Sequence, residues 1–140
     1  MALYGSSEWL DLFKETINAD QEFQAAAARF SASMTIATSI KGLPKPFYVW
    51  MDFHRGKMRE WAYMARTSDK KSDFVFNSDY YTWKAICRGE MDVIRAVVSG
   101  KIKLSGNRLK MLAQTKASLA LLKVMEKLDT SFPDEIFRRQ

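Results

Sequence analysis

Residues 99–111, SGKIKLSGNRLKM, restrict the fold of this chain more than any other stretch. Positions 101–105 alternate between polar and apolar side chains, which is typical of a strand with one solvent-exposed face. The pair Gly106-Asn107 then turns the chain into a long apolar helix, which Asn107 is placed to cap. Lysines at alternate positions of a short strand suit the edge of a sheet, because they discourage pairing with another chain. The sequence therefore predicts an edge strand that leads into a closing helix, with two residues on its covered face, Ile102 and Leu104.

The remaining residues divide into short helical and strand patterns. Residues 31–40 and 74–77 have the composition and alternation of strands, and residues 47–66 predict a hairpin that turns at Arg55-Gly56. Strands clustered apart from most helices indicate an α+β fold, formed here by one domain, residues 1–140, with a C-terminal tail at 129–140. Each predicted helix follows a polar residue that can cap it, namely Ser6 or Ser7, Asp20, Ser78 or Asp79, and Asp92.

The predicted hairpin carries four aromatic residues whose location depends on its register. A two-residue turn places Asp52 opposite Arg59, and this pair of opposite charges favours that register over a bulged turn. Trp50 then faces Trp61, Tyr48 faces Tyr63, and the four rings share one face. If the helices cover the other face, the cluster is exposed and suits a partner or a second copy of the chain. If the faces are reversed, the cluster is core, and the sequence leaves both arrangements open.

The charge and the single cysteine limit the location and partners of the protein. The formal net charge of +6 is spread along the chain, which favours a solvated surface over a nucleic-acid site. No apolar run reaches the ~18 residues of a membrane span, and the N-terminus lacks the features of a signal peptide. Cys87 is the only cysteine, so no internal disulfide can form and a reducing compartment fits. These features predict a cytoplasmic protein with no nucleic-acid partner.

No residue pattern indicates catalysis or a bound cofactor. His54 is the only histidine, and no Cys/His set has metal-ligand spacing. Cys87 lies in a predicted apolar helix, where a small core residue is more common than a nucleophile. We therefore predict no catalytic residue, no metal and no cofactor. An enzyme that uses Cys87 or His54 is the weakest hypothesis, because nothing in the sequence supplies a partner base.

Residues 77–111, NSDYYTWKAICRGEMDVIRAVVSGKIKLSGNRLKM, resemble the sterol carrier protein type 2 family of lipid-binding domains. That family ends a strand in a polar cap, continues with an apolar helix closed by glycine and then a second short helix. A Gly-Lys-aliphatic-Lys-aliphatic-x-Gly-Asn/Asp run and a closing helix follow. Each step is present here, at Ser78-Asp79, Gly89, 100–104 and Gly106-Asn107. The resemblance implies a five-stranded, mostly antiparallel sheet with helices over one face and an apolar tunnel between them. It also implies non-catalytic binding of fatty acyl chains, acyl-CoA, sterols or other lipids.

The resemblance also suggests which residues contact a lipid. In the implied fold, the two short helices form one wall of the tunnel and the closing helix another. Arg88 and Arg108 are candidates to hold a carboxylate or phosphate head group. The candidate lipid-binding residues are Trp83, Ile86, Ile94, Val97 and Val98 in the short helices, Ile102 and Leu104 in the edge strand, and Met111, Leu112, Leu119 and Leu122 in the closing helix.

The same apolar residues are also consistent with an ordinary core. The stripe on the closing helix is broader than one sheet face needs, and buried residues of this kind usually only pack. Two interpretations therefore stand side by side. The first is a carrier of an acyl chain or similar apolar ligand, with transient contact to a membrane surface. The second is an interaction module of the same fold, with the cavity filled by side chains and a second copy of the chain as a candidate partner.

Overall fold

The computed structural model describes residues 2–134, except for the side chains at 108 and 110–113. None of the helices in this part of the chain is long and apolar enough to cross a membrane. The elements, in chain order, are β1 (Ala2–Leu3), α1 (Ser7–Ala19), α2 (Gln21–Ala26), β2 (Ala32–Ser39), β3 (Phe47–His54), β4 (Lys57–Met64), β5 (Phe74–Asp79), α3 (Tyr80–Cys87), α4 (Val93–Val98), β6 (Lys103–Gly106), α5 (Arg108–Val124) and β7 (Thr130–Ser131).

The main sheet has five strands in the order β4-β3-β2-β5-β6. Every neighbouring pair is antiparallel except β2 and β5, which are parallel. This confirms the predicted α+β fold with a five-stranded, mostly antiparallel sheet. Strand β6 is an edge strand as predicted, with Lys103 exposed, Leu104 partly buried and the preceding Ile102 fully buried.

The helices begin where the sequence predicts them. Ser6, Asp20, Asp79 and Asp92 each accept a hydrogen bond from the backbone amide three residues later, which satisfies one of the free donors at a helix start. Helix α5 contacts all four other helices, and residues in its middle lie beside strands β5 and β6. The described part of its broad apolar stripe therefore packs against the other helices.

The hairpin between β3 and β4 turns at Arg55-Gly56, as predicted. The predicted register is correct for the pair Phe53–Met58 next to the turn, but it is wrong for the pairs farther from the turn. Strand β4 has one extra residue, a β-bulge, between the pair Phe53–Met58 and the pair Asp52–Glu60. The bulged Arg59 still reaches Asp52, with 2.6 Å between its Nη2 and Oδ2 of Asp52. The charge pair is thus present without being a directly opposed pair of the ladder.

The bulge also splits the predicted aromatic cluster. Trp61 and Tyr63 pair with Met51 and Val49, so they lie on the helix-covered face. There Nε1 of Trp61 donates to Oδ1 of Asp11 in α1 at 2.9 Å. A one-residue shift exchanges the two faces of a strand, which is why the prediction of one shared aromatic face is incorrect.

The outer face of the sheet is partly covered by the connection from β4 to β5. Because β3 and β2 lie between these strands, residues 65–73 cross them on the side away from the helices. Nε1 of Trp50 donates to the carbonyl of Lys71 at 3.0 Å, and the hydroxyls of Thr35 and Ser72 are 2.5 Å apart. Trp50 is consequently only 8% exposed although it faces away from the helices.

The residues after α5 are more ordered than their sequence suggests. Strand β7 pairs in parallel with β1 and closes a small second sheet. Phe132 is buried against Tyr4 and Tyr80, and the carboxylate of Asp134 accepts from the Tyr80 hydroxyl at 2.5 Å. The start of the predicted tail therefore contributes to the core.

Candidate functional site

A groove of about 480 Å³ lies between α2, α4 and α5. This volume is within the range of small-molecule sites, which is about 300–1,000 Å³. Its floor is apolar and contains residues from all three helices, namely Phe23, Ala26, Ile94, Leu119, Ala120 and Val124. The groove can therefore remove part of an apolar ligand from water.

The rim of this groove is charged with both signs. Lys127 donates to the Asp20 carboxylate, and this hydrogen bond holds the pKa of Asp20 below its ordinary value. The pair joins the start of α2 to the residues that follow α5. Lys116 and Lys123 lie seven positions apart on α5, are exposed, and line the same groove beside its apolar floor. Glu22 and Glu126 line it as well, so carboxylates and ammonium groups both surround the apolar floor.

A second, narrow gap separates α5 from strands β5 and β6. It is lined by Phe74, Phe76, Leu104, Thr115, Ser118 and Leu119, and it leaves no room for a water molecule. Leu119 lines both this gap and the groove, so its side chain lies between the surface and the sheet. Any apolar ligand that passed from the groove to the sheet would therefore have to move Leu119.

The residues predicted to line a tunnel fall into separate groups. Trp83, Ile86, Ile102 and Leu122 are fully buried, and Nε1 of Trp83 donates to the carbonyl of Ala37 at 3.1 Å. Leu104, Leu119 and Val97 are partly buried against the core. Ile94 is about half exposed and Val98 is largely exposed, and both line a second groove on α4. The side chains of Met111, Leu112 and Arg108 lie outside the described residues. The tunnel stays a prediction.

Arg88 is placed at the end of α3, away from both linings described above. The centre of its guanidinium lies 5.2 Å from the ring centroid of Phe132, a cation–π distance. The basic residues that line the groove are instead Lys116, Lys123 and Lys127, and the sequence analysis selected none of them. Lys116 and Lys123 lie in the closing helix. The positions of these two lysines on either side of Leu119 are the signal that could have identified them.

The two residues considered for an enzymatic role differ in their exposure to solvent. Cys87 is buried, and burial together with the nearby Glu126 raises its pKa to about 12. A thiol with so high a pKa has almost no reactive thiolate at neutral pH. His54 is exposed at the end of β3. Within residues 2–134, no group of three or more His, Cys, Asp or Glu side chains is arranged to hold a metal ion.

Comparison with known proteins agrees with this architecture. Sterol carrier protein 2 has a crystal structure that matches with a TM-score of 0.75 and 23% identity, covering 88% of this chain and 97% of that chain. A conserved hypothetical protein from Thermus thermophilus matches with a TM-score of 0.74 and 22% identity, covering 90% of each chain. Sterol Carrier Protein 2 from Yarrowia lipolytica, in its apo form, gives 0.55 and 16%, covering 82% of this chain and 87% of that chain. These likenesses concern the fold.

Sequence comparison identifies the family. No curated protein sequence matches the chain. A sequence model of the SCP-2 sterol transfer family matches residues 9–120, which include most of α1, all of α2 to α4, the whole main sheet and most of α5. The matched residues therefore contain α2 and α4 and part of α5, the three helices between which the groove lies. The chain belongs to the SCP-2 sterol transfer family, a family of lipid-binding proteins.

Proposed function

We propose that residues 1–140 form one domain that acts as a non-catalytic, cytoplasmic carrier of a fatty acyl chain or a similar apolar ligand. The ligand would enter through the groove between α2, α4 and α5 and lie between α5 and the sheet. The observation that carries this proposal is the position of Leu119, which lines both spaces. Burial of the chain would supply ~0.8 kcal/mol per CH₂ group before the costs of binding.

Binding requires a change in the position of α5, because the gap beneath it is closed. Helices α2 and α4 flank the groove and have only six residues each. Short helices are held by few contacts and open at a lower free-energy cost than long ones. The α2–α4 side of α5 is therefore the side from which a ligand would enter. Lys116 and Lys123 would then hold a carboxylate or phosphate at the rim, the role that the sequence analysis gave to Arg88 and Arg108.

The second candidate function is an interaction module of the same fold with no ligand cavity. The closed gap and the complete burial of Trp83 and Ile86 favour it. Native mass spectrometry of protein purified from cells distinguishes the two candidates. Co-purified lipid, or uptake of a fluorescent fatty acid by the delipidated protein, supports the carrier. A protein that emerges without lipid and takes none up supports the interaction module and contradicts the carrier.

A matched pair of variants on α5 tests the entry route. Leu119→Trp should fill the space between groove and gap and weaken fatty-acid binding at least tenfold. Leu109→Trp places the same ring on the same helix, at a residue that is 80% exposed, and should bind like wild type. Thermal unfolding of both variants shows whether the fold is kept. Equal binding by folded Leu119→Trp and wild type would place the ligand elsewhere.

A further inference from the structure

Helix α4 has apolar side chains on both its buried and its exposed side. Val93 and Ala96 face the core, whereas Ile94 is 46% exposed and Val98 is 82% exposed. Ile94 and Val98 are four residues apart, so they lie next to each other on one helical face. An exposed apolar pair of this kind needs a reason, because the described part of the chain leaves it largely open to solvent.

The charged residues that line the exposed side of α4 are basic. A groove of about 480 Å³ runs along the exposed side of α4 and is lined by Met91, Ile94, Arg95, Ala96, Val98, Ser99 and Lys101. Among these described residues, Arg95 and Lys101 are charged and none is a carboxylate. We call Met91, Ile94, Arg95, Val98 and Lys101 the α4 patch. Apolar side chains next to Arg and Lys are typical of surfaces that lie in the interface of a membrane, where the long basic side chains reach the head groups.

The charge of the α4 patch indicates which partner fits it. A second copy of the chain, related by a two-fold axis, would bring two basic grooves together, and this repulsion disfavours a symmetric dimer. A neutral surface would offer Arg95 and Lys101 no partner charge. An anionic phospholipid surface pairs with both groups and also accepts Ile94 and Val98 below the level of its phosphates.

We propose that the α4 patch docks this protein on membranes that contain anionic phospholipid. This inference rests on the proposed function, because a lipid carrier must meet the membrane from which its ligand comes. Ile94 lines both the α4 groove and the groove between α2, α4 and α5. Docking through the α4 patch therefore places the entrance of the proposed ligand site at the surface of the bilayer, so that an acyl chain passes between them with little exposure to water.

Co-sedimentation with vesicles tests the docking surface. The probes are vesicles of phosphatidylcholine alone and of phosphatidylcholine mixed with phosphatidylserine. Wild type should bind the mixed vesicles and lose binding as salt is added. Arg95→Gln with Lys101→Gln should lower the affinity for mixed vesicles by about fivefold for each charge removed. Val98→Ser should weaken binding at low salt. The control Leu109→Ser removes an apolar side chain that is as exposed as Val98 but lies at the start of α5, outside the α4 patch. This control should bind like wild type.

The outcomes separate the docking surface from the ligand site. The double glutamine variant should still take up a fluorescent fatty acid in buffer without vesicles. The docking inference fails if wild type ignores the mixed vesicles or if Val98→Ser binds them as well as wild type does. It also fails if light scattering shows a dimer that Val98→Ser abolishes, because a second copy then covers the patch. If wild type does not bind the vesicles but takes up fatty acid, the carrier function stands without this surface.

Discussion

Gly106 lies at the end of β6, just before α5, and we expect its replacement by alanine to destabilise the connection between these two elements. Its φ is +140°, a value that residues with a side chain rarely adopt. A Cβ atom at this position would lie 2.0 Å from the carbonyl oxygen of Asp73 and 3.0 Å from Cα of Phe74. Both neighbours are backbone atoms at the start of β5, so neither can move aside without displacing the strand.

The expected cost of Gly106→Ala follows from these contacts. Strain at an unfavourable backbone conformation costs about 1–3 kcal/mol. Separating β6 from β5 also weakens the hydrogen bond from the amide of Asn107 to the carbonyl of Asp73, 2.9 Å long, and such bonds contribute about 1 kcal/mol each. We expect Gly106→Ala to lower the free energy of unfolding by about 2–4 kcal/mol, which should be seen in urea unfolding and as a melting temperature lower by about 10 °C.

Gly100 provides the matched control. It also has a positive φ, +82°, but no atom lies within 4 Å of the position of its Cβ. Gly100→Ala should therefore cost only the backbone term, about 1–2 kcal/mol. The difference between the two variants measures the close approach of β6 to β5. If both substitutions lower the free energy of unfolding equally, the close contact with Asp73 does not contribute to stability, and the reasoning is refuted.

Two further predictions concern the start of α5 and the split aromatic cluster. Asn107→Ala should lower the free energy of unfolding by ~0.5–2 kcal/mol, because Oδ1 of Asn107 accepts from the amide of Leu109 at 3.1 Å. It should weaken fatty-acid binding by more than this loss of stability explains. Asn107→Asp should keep both the stability and the binding of wild type. Urea unfolding and a binding titration of both variants check this, and equal binding by the two would contradict it. Trp50→Ala should cost ~3–5 kcal/mol, whereas half-buried Trp61→Ala should cost less, and neither should alter self-association measured by light scattering.

The features predicted correctly depend on residues close together in sequence. Asp20 and Asp92 cap helices that start at the next residue, and the turn at Arg55-Gly56 lies between two adjacent strands. The edge position of β6 also follows from its own lysines. In each case the physical cause lies within a few positions, so the sequence pattern contains it. The family resemblance then supplied the strand count, which local patterns do not determine.

The features that were missed depend on distant parts of the chain. The bulge at Arg59 changes the register without any signal in the alternation of β4, because Trp61 and Tyr63 fit either face. Trp50 is buried by residues 65–73, whose path across the outer face follows from the strand order. The exposure of Val98 was missed as well, because an apolar residue in a short helix is expected to be buried.

Hydrogen bonds near the two ends of helix α5 connect the fold with the proposed function. At its start, the amide of Asn107 is bonded to the carbonyl of Asp73, and beyond its end Lys127 is bonded to Asp20 at the start of α2. Its middle has Leu119 between the groove and the sheet, with the small side chain of Ala120 beside it. A helix fixed at both ends cannot leave the sheet as a whole at low cost, so a ligand that entered by the proposed route would displace its middle first. That is why a change at Asn107, far from the groove along the helix, should affect binding beyond its effect on stability.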